Sequence, residues 1–287
     1  MLTEISELLP SDADVAFFAE HGYWISPPIV PDEVLDTARR GADRLYRGDV
    51  DHALPSGERM FGWTAEQGDV LRKNDFSSLL VDELAQLVRL PVIAATAARL
   101  GGHEEIRLWH DQLLYKPVER EQAVRVGWHT DRQYWQTCSS EDMLTAWVPF
   151  HDIEPEHGPV SFVDGSHHWG EDVVLDFFNP DMTTVESLLE RHRAELAVAT
   201  MPRGAVSFHH CRTIHGSAAN HSGEPRRAIA IHLQPQGNHY VARPKPDGTL
   251  FAHGNDRLVR RTSGGDPDYT DPAACPRLWP GQEGRAG

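Results

Sequence analysis

The spacing of hydrophobic residues changes near residue 105 of this chain. Before that point apolar residues recur at helical spacing between capping residues, which predicts a mainly helical segment over residues 1–104. One short strand, Tyr23–Ile25, interrupts this segment before a pair of prolines. The predicted helices cover residues 12–20, 31–46, 78–88 and 91–100.

After residue 105, short apolar runs rich in β-branched and aromatic residues alternate with turn residues. Short strands without long helices between them are typical of a sandwich or a jelly roll. We therefore predict a mainly β fold with helical additions and a single domain over residues 1–287. Its strand-rich core spans 105–242 and its irregular tail spans 243–287. The predicted strands cover 106–115, 144–150, 160–163, 205–209, 214–218 and 228–233, and one helix covers 184–196.

The composition narrows the classes of function. Apolar residues make up 40% of the chain, which is enough for a core, and no run of eighteen apolar residues or secretory leader is visible. The net charge of −16 disfavours binding to nucleic acid, so the expected partner is a small molecule rather than nucleic acid or a membrane. The three cysteines are far apart, which favours a reducing, cytoplasmic compartment. The oligomeric state stays open.

The first chemically informative segment is Trp128-His129-Thr130-Asp131. In an extended chain, residues i and i+2 project to the same face, so His129 and Asp131 can reach one metal ion. Such a pair is weak evidence in a chain with 17 histidines and 43 acidic residues. A third ligand is available from His215, and two histidines with one carboxylate are the recurring ligand set of non-haem Fe(II) oxygenases.

The segment after His215 adds a candidate anion site. A hairpin around 220–225 would place His215, Ser217, Arg226 and His232 on one face and Arg227 on the other. Arg226 would then lie about 13 Å from the level of His215, a gap that a metal-bound five-carbon dicarboxylate and an arginine side chain can span. A slip of one residue in the register would exchange the two arginines, so the choice of Arg226 is a hypothesis.

These segments, taken together, resemble the phytanoyl-CoA dioxygenase family of Fe(II)- and 2-oxoglutarate-dependent oxygenases. The resemblance extends in consistent order over roughly residues 12–235. The matching motifs are His-Thr-Asp at 129–131, His-Gly-Ser at 215–217 with Asn220, the arginine eleven residues after His215, the stretch 109–117, Ala-Trp-Val-Pro at 146–149, Gly-Pro at 158–159, Asp-Gly-Ser-His at 164–167 and the stretch 203–209.

The resemblance implies a double-stranded β-helix (a cupin-like jelly roll) with the N-terminal helices packed on its larger sheet. It implies that Fe(II), 2-oxoglutarate and O₂ are used to hydroxylate a small or medium-sized metabolite or natural product, with release of succinate and CO₂. Related oxygenases often carry a serine or threonine two residues after the arginine, but this chain has Ala228 there. Ser217 is therefore the better candidate for a hydroxyl contact to 2-oxoglutarate. The implied metal ligands are His129, Asp131 and His215, and the implied 2-oxoglutarate contacts are Arg226, Ser217, Trp147, Gln112 and, less directly, Lys73.

Two other functions remain open at this point. One is a jelly-roll metalloenzyme that does not use 2-oxoglutarate, and the other is a non-catalytic binding module with the same fold. Asp131 favours oxygen insertion or desaturation over halogenation, because halogenating relatives carry a small residue there. The negative charge disfavours a fatty acyl-CoA substrate, but the sequence does not identify the substrate.

Several residues near the motifs have two interpretations. Trp128, Tyr134 and Trp135 could form a substrate wall or core, while Arg132 is expected in solvent. His232 could touch substrate or be hydrogen-bonded in the core, and residues 48–70 are the predicted lid. The remaining histidines singled out, 167–168 and 209–210, are expected to be structural or hydrogen-bonding, since 209 and 210 point to opposite faces of a strand.

Overall fold

The helices lie mostly in the first part of the chain, as predicted. The structure is a computed structural model, and it describes residues 5–55, 57, 61–118, 126–170, 175 and 182–280. The helices are α1 (Asp12–His21), α2 (Asp32–Tyr46), α3 (Asp82–Val88), α4 (Pro91–Gly101), α5 (Thr183–His192) and α6 (Asn255–Leu258).

Twelve strands in the described ranges form two antiparallel sheets. The large sheet has the order β1-β9-β6-β11-β4-β3-β2, with β12 also paired to β4, and the small sheet has the order β5-β10-β7-β8. This arrangement confirms the predicted jelly roll. The strands are β1 (Tyr23–Ile25), β2 (Phe61–Gly62), β3 (Arg72–Asp75), β4 (Ile106–Lys116), β5 (Val126–His129), β6 (Leu144–Pro149), β7 (Val160–Val163), β8 (Leu196–Val198), β9 (Ser207–His210), β10 (His215–Ser217), β11 (Arg226–Pro235) and β12 (Arg277–Trp279).

The N-terminal helices cover the outer face of the large sheet. Side chains alternate along β11, so Ile229 and Ile231 point outward into the same buried cluster as Leu35 of α2 and Leu84 of α3. Ala228 and its neighbours on the inner face belong to a second cluster around Trp147. Burying each large aliphatic side chain contributes about 1.5–3 kcal/mol. The helices therefore stabilise the sheet from outside and leave its inner face available for polar groups.

The turn between α1 and β1 shows how local sequence fixes this packing. Ser11 caps α1 in a capping box with Asp14, and Gly22 ends the helix with a φ of +77°. A Cβ atom at Gly22 would lie 2.6 Å from Thr213 Oγ1, so glycine is required for both the backbone angle and the close approach.

Two boundaries differ from the prediction because of side-chain contacts that sequence spacing does not reveal. The helix predicted from residue 78 begins at Asp82, because Asp111 holds the preceding turn through Ser77 and Ser78. The helix predicted to residue 196 ends at His192 and is followed by the edge strand β8. The predicted strands did not include β2, β3, β5, β8 and β12, which are short and either largely polar or far from their partners in sequence.

The hairpin predicted around 220–225 is wrong. β10 lies between β5 and β7 in the small sheet, whereas β11 lies between β4 and β6 in the large sheet. Ser222 and Asn220 form a local turn by hydrogen-bonding the Glu224 carbonyl, and the chain crosses there from one sheet to the other. His215 and Arg226 therefore lie on different sheets and line the same interior cavity, instead of sharing one sheet face.

One apolar stretch, Asp82–Gly101, is long enough by composition to match a membrane span. It is broken into α3 and α4 at Leu90, where Pro91 starts the second helix, and 61% of its most apolar part is buried in the structure. Its packing is that of core helices. The tail after residue 243 also contributes to the core, since its Tyr269 and Cys275 are buried in the main hydrophobic cluster.

Candidate active site

Three predicted ligands meet at the end of the small sheet. His129 ends β5 and is the register partner of His215 at the start of β10, and Asp131 begins a short helical turn directly after β5. Asp131 Oδ1 lies 4.0 Å from His129 Nε2 and 3.8 Å from His215 Nε2. All three side chains are buried, and their ligand atoms lie within 4.8 Å of one another.

Backbone carbonyls fix which nitrogen of each histidine is available. His129 Nδ1 is 2.8 Å from the Gly127 carbonyl oxygen, and His215 Nδ1 is 3.0 Å from that of Thr213. A carbonyl oxygen only accepts, so Nδ1 carries the hydrogen in both rings. The Nε2 lone pairs therefore point toward Asp131 Oδ1. Burial lowers the pKa of both histidines, which keeps the rings neutral, as metal coordination requires.

The second oxygen of Asp131 is held by the large sheet. Asp131 Oδ2 accepts hydrogen bonds from Thr145 Oγ1 at 2.5 Å and from His209 Nε2 at 3.2 Å. Burial opposes ionisation, but the adjacent His215 and the hydrogen bond from His209 outweigh it and hold the pKa of Asp131 well below its usual range. The hydrogen-bonding role expected for His209 is thus confirmed. Two imidazoles and one oriented carboxylate fit a divalent transition metal such as Fe(II).

Arg226 lies on the inner face of β11, away from the three-residue cluster. Its guanidinium carbon is 5.3 Å from the Trp147 ring centroid, and Nη1 donates to the Gly158 carbonyl oxygen. Burial lowers the pKa of Arg226 to about 10, so the guanidinium is charged at neutral pH. Arg227 points to the other side of the sheet and pairs with Asp43 of α2 at 3.0 Å. Of the two arginines, Arg226 is the one that faces the interior.

Lys116 is a buried cation that the sequence interpretation did not assign to the site. It is the register partner of Arg226 on β4 and is 1% exposed. Its Nζ donates to Ser217 Oγ at 2.6 Å and to the Ala218 carbonyl oxygen at 2.6 Å. The available signal was its position on β4, four residues after Gln112 and therefore on the same face. Two cationic side chains thus lie at this end of the interior.

Two cavities meet at the three-residue cluster. A narrow one of about 50 Å³ connects it with Arg226, Ser217, Trp147 and Gln112. Four of the five residues that the resemblance implies as 2-oxoglutarate contacts therefore share one space, and Lys73 does not line it. A wider cavity of about 360 Å³ opens on the other side, and we call it the outer chamber. It shares His129, Asp131, Gln112 and His232 with the narrow cavity, and its other lining residues are Lys73, Asp75, Phe76, His110, Tyr134, Trp135, Ala252, His253, Gly254 and Arg257.

The structure separates the aromatic residues that had two interpretations. Trp135 is buried, and the centroid of its ring lies 4.9 Å from that of the His232 ring. It also lines the outer chamber. Tyr134 is 44% exposed with its ring 6.0 Å from His129, at the chamber wall. Trp128 belongs to a separate buried cluster with Val163, so it is a core residue.

The remaining expectations have mixed outcomes. Arg132 is buried, contrary to prediction, because its guanidinium donates to the backbone carbonyls of Trp135 and Cys138. Lys73 lies in the outer chamber, 3.9 Å from Asp75 Oδ1. Residues 56 and 58–60 of the proposed lid lie outside the described part of the chain. Trp63 in the same segment is buried beneath Arg72, whose guanidinium carbon is 4.2 Å from the ring.

A second group of possible ligands is made of His151, His157 and Glu224. Both nitrogens of His151 are engaged, since Nδ1 is 2.7 Å from the Asp152 carbonyl oxygen and Nε2 accepts from the Arg227 backbone N–H at 3.2 Å. Because that lone pair is used, this group is better explained by hydrogen bonding than by metal binding.

Comparisons with known proteins agree with this geometry. The family described as Phytanoyl-CoA dioxygenase (PhyH) matches residues 18–228. A "Probable alpha-ketoglutarate-dependent hypophosphite dioxygenase" of Stutzerimonas stutzeri is 28% identical over 173 residues, which span 58% of this chain and 58% of that protein. An "Ectoine dioxygenase" of Halomonas elongata is 25% identical, and the match covers 75% of this chain and 67% of that protein.

A solved structure extends the likeness over nearly the whole chain. It is the epimerase SnoN in complex with Fe³⁺, alpha ketoglutarate and nogalamycin RO. It superposes with a TM-score of 0.67 at 24% identity, covering 97% of this chain and 100% of that chain. At this identity the superposition establishes the shared fold.

Proposed function

This chain belongs to the phytanoyl-CoA dioxygenase family, and we propose that it is an Fe(II)- and 2-oxoglutarate-dependent oxygenase. Its reaction is the hydroxylation of a small or medium-sized organic molecule with release of succinate and CO₂. The observation that carries the proposal is the convergence of His129 Nε2, His215 Nε2 and Asp131 Oδ1 beside a cavity that ends at a buried arginine. Iron with 2-oxoglutarate supplies an oxidant that removes hydrogen from a C–H bond.

In this proposal the protein's residues hold and orient the reactants. His129, Asp131 and His215 would hold the iron, and as only three protein ligands they would leave it able to bind 2-oxoglutarate and O₂. Arg226 binds the distal carboxylate of 2-oxoglutarate, because its fork of donors matches a carboxylate and Trp147 shields it from water. Ser217 provides a hydroxyl at the same end, oriented by Lys116.

Gln112 and Trp147 complete the narrow cavity. They are register partners of Ala230 from opposite sides, so a small residue lies between two larger ones on the inner face. The narrow cavity runs from the metal site toward Arg226, which is the direction in which an extended dicarboxylate would lie. Leu71, Leu114 and Val160 also line this cavity, and such apolar side chains exclude water and strengthen the charge pairing.

The buried arginine argues against one of the two other functions, and the two histidines argue against the other. A metalloenzyme that does not use 2-oxoglutarate has no need for a guanidinium that lacks an acidic partner among the residues the structure describes. A binding module has no need for two histidines held in the metal-binding tautomer. We further propose that the enzyme acts in the cytoplasm on a free small molecule, without nucleic acid or membrane as partner.

The experiment is a screen for substrate-dependent succinate formation. Purified protein is incubated with Fe(II), ascorbate, 2-oxoglutarate and air, and a library of small metabolites is added one compound at a time. We expect at least one compound to increase succinate release and to gain one oxygen atom by mass spectrometry. The matched blank is His129→Ala, which should release no succinate with any compound. Succinate release that persists in this variant would contradict the proposal.

A further inference from the structure

A row of four polar residues crosses the inner face of the large sheet. Thr145 on β6 is the register partner of His209 on β9 and of His232 on β11, and His232 is in turn the partner of His110 on β4. The row begins at the carboxylate of Asp131 and ends in the outer chamber. Polar residues on the inner face of a jelly roll need hydrogen-bond partners, so each member of the row must be accounted for.

The hydrogen bonds along the row define the tautomer of His232. Thr145 has one hydroxyl hydrogen, and it donates this hydrogen to Asp131 Oδ2. His232 Nδ1 lies 2.7 Å from the same hydroxyl oxygen, which can then only accept, so Nδ1 carries the ring hydrogen. Nε2 of His232 is therefore a hydrogen-bond acceptor. It is buried and has no hydrogen-bond partner in the described part of the chain, and the ring lines both cavities.

His110 continues this arrangement into the outer chamber. It is 3% exposed, and neither of its ring nitrogens has a hydrogen-bond partner within the described ranges. Its ring centroid is 4.3 Å from that of His232 and 5.7 Å from that of Phe76. A neutral imidazole offers one donor and one acceptor, and leaving both unmade in a buried site costs stability. Buried polar groups of this kind, lining a cavity beside a catalytic centre, indicate a ligand that pairs with them.

The shape of the outer chamber limits what that ligand can be. Its volume of about 360 Å³ is at the small end for pockets that bind organic ligands. Besides His129 it offers three imidazoles, and its other charged side chains away from the metal cluster are Lys73, Asp75 and Arg257. Phe76, Tyr134 and Trp135 supply flat aromatic surfaces. Such a space suits a compact ring better than a long acyl chain.

We propose that the substrate is a compact, ring-containing polar molecule that places an O–H or N–H donor against His232 Nε2, beside the metal site, with His110 pairing to the same or a neighbouring polar group. This assignment rests on the proposed function and specifies the substrate class for that site. His232 then selects for substrates with a hydrogen-bond donor. A molecule that can only accept would place its own lone pair against that of His232 Nε2 and form no hydrogen bond. A site built to form a hydrogen bond discriminates strongly against analogues that lack it.

The test uses matched probes on the enzyme loaded anaerobically with Fe(II) and 2-oxoglutarate. The probes are cyclic alcohols, from cyclohexanol to two fused rings, and the methyl ether of each alcohol. Binding is measured as the change that each probe causes in the visible absorption of the iron–2-oxoglutarate complex. We expect the alcohols to bind about 10- to 100-fold more tightly than their methyl ethers.

Two variants of His232 separate recognition from support of the fold. His232→Phe keeps a ring but removes the acceptor, and the alcohol-to-ether preference should fall to about onefold. His232→Gln places an amide oxygen near the position of Nε2 and should restore part of the preference. The preference is a ratio within one protein, so it does not depend on how much of each variant binds iron.

Three results would overturn the assignment: equal affinity of the wild-type enzyme for alcohols and ethers, no binding of any alcohol, or an unchanged preference in His232→Phe. The absorption of the iron–2-oxoglutarate complex is recorded before any probe is added. Failure of that complex to form counts against the proposed function, whereas its formation without a preference for alcohols counts against the substrate class alone.

Discussion

Replacement of Arg226 by alanine should specifically weaken the binding of 2-oxoglutarate. The guanidinium is 3% exposed and borders the narrow cavity, so a carboxylate paired with it is shielded from water. Removing one partner of a buried, hydrogen-bonded charge pair costs about 2–5 kcal/mol. At about 1.4 kcal/mol for each factor of ten, the Kd for 2-oxoglutarate should rise about 30- to 4,000-fold.

The neighbouring residue provides a matched control. Arg227→Ala removes an equal charge one position along the chain, but that side chain lies on the outer face and pairs with Asp43. Its loss affects a partly exposed ion pair, for which about 0–1 kcal/mol of stability is the usual range, and it should leave 2-oxoglutarate binding unchanged. Arg226→Lys keeps the charge but loses the paired donors, so its affinity should lie between those of the wild type and Arg226→Ala.

The assay is anaerobic titration of the Fe(II)-loaded protein with 2-oxoglutarate, followed by visible absorption. Iron affinity is measured in parallel, since Arg226 does not contact the proposed ligands and its removal should leave iron binding intact. The reasoning fails if Arg226→Ala binds 2-oxoglutarate as the wild type does. It also fails if Arg227→Ala has the larger effect.

Three further results are expected. Lys116→Met leaves the Ser217 hydroxyl and the Ala218 carbonyl without the Lys116 donor, so the Kd for 2-oxoglutarate in the same titration should rise about tenfold. An unchanged Kd would show that Lys116 only fills space. Thr145→Val removes a hydrogen bond to Asp131, and metal affinity measured by titration should fall about 10- to 100-fold; unaltered affinity would contradict the role of the row. Burial lowers the pKa of His253 to about 3, so below about pH 6.5 the unfolded state binds a proton that the folded state does not. The free energy of unfolding, measured in urea, should therefore fall between pH 6.5 and 4. The fall should be less steep in His253→Phe than in the wild type.

The closeness of the His129 and Asp131 side chains was predictable because its signal is local. A histidine and a carboxylate two residues apart at a strand end share a face whatever the rest of the fold does. Arg226 rather than Arg227 faces the interior, as predicted, although the hairpin from which this was inferred is wrong. Alternation along β11 separates the two arginines, and the outward packing of Ile229 and Ile231 against the helices decides which of them faces the interior.

The contacts that sequence spacing did not reveal join residues far apart in the chain. Lys116 and Ser217 are 101 positions apart, and His209 and Asp131 are 78 apart, so no local periodicity relates either pair. The burial of Arg132 depends on carbonyl oxygens that turn toward it in a loop. Such contacts follow from how the two sheets face each other, which single-strand patterns do not specify.

The most direct test of the account is an anaerobic titration with Fe(II) of the wild-type protein and of His129→Ala and His215→Ala. The account predicts one ferrous ion per chain in the wild type, and a loss of affinity of at least about 100-fold in each variant, because each removes one of three protein ligands. Iron that binds the variants as tightly as the wild type, or does not bind the wild type at all, would contradict the existence of the proposed metal centre.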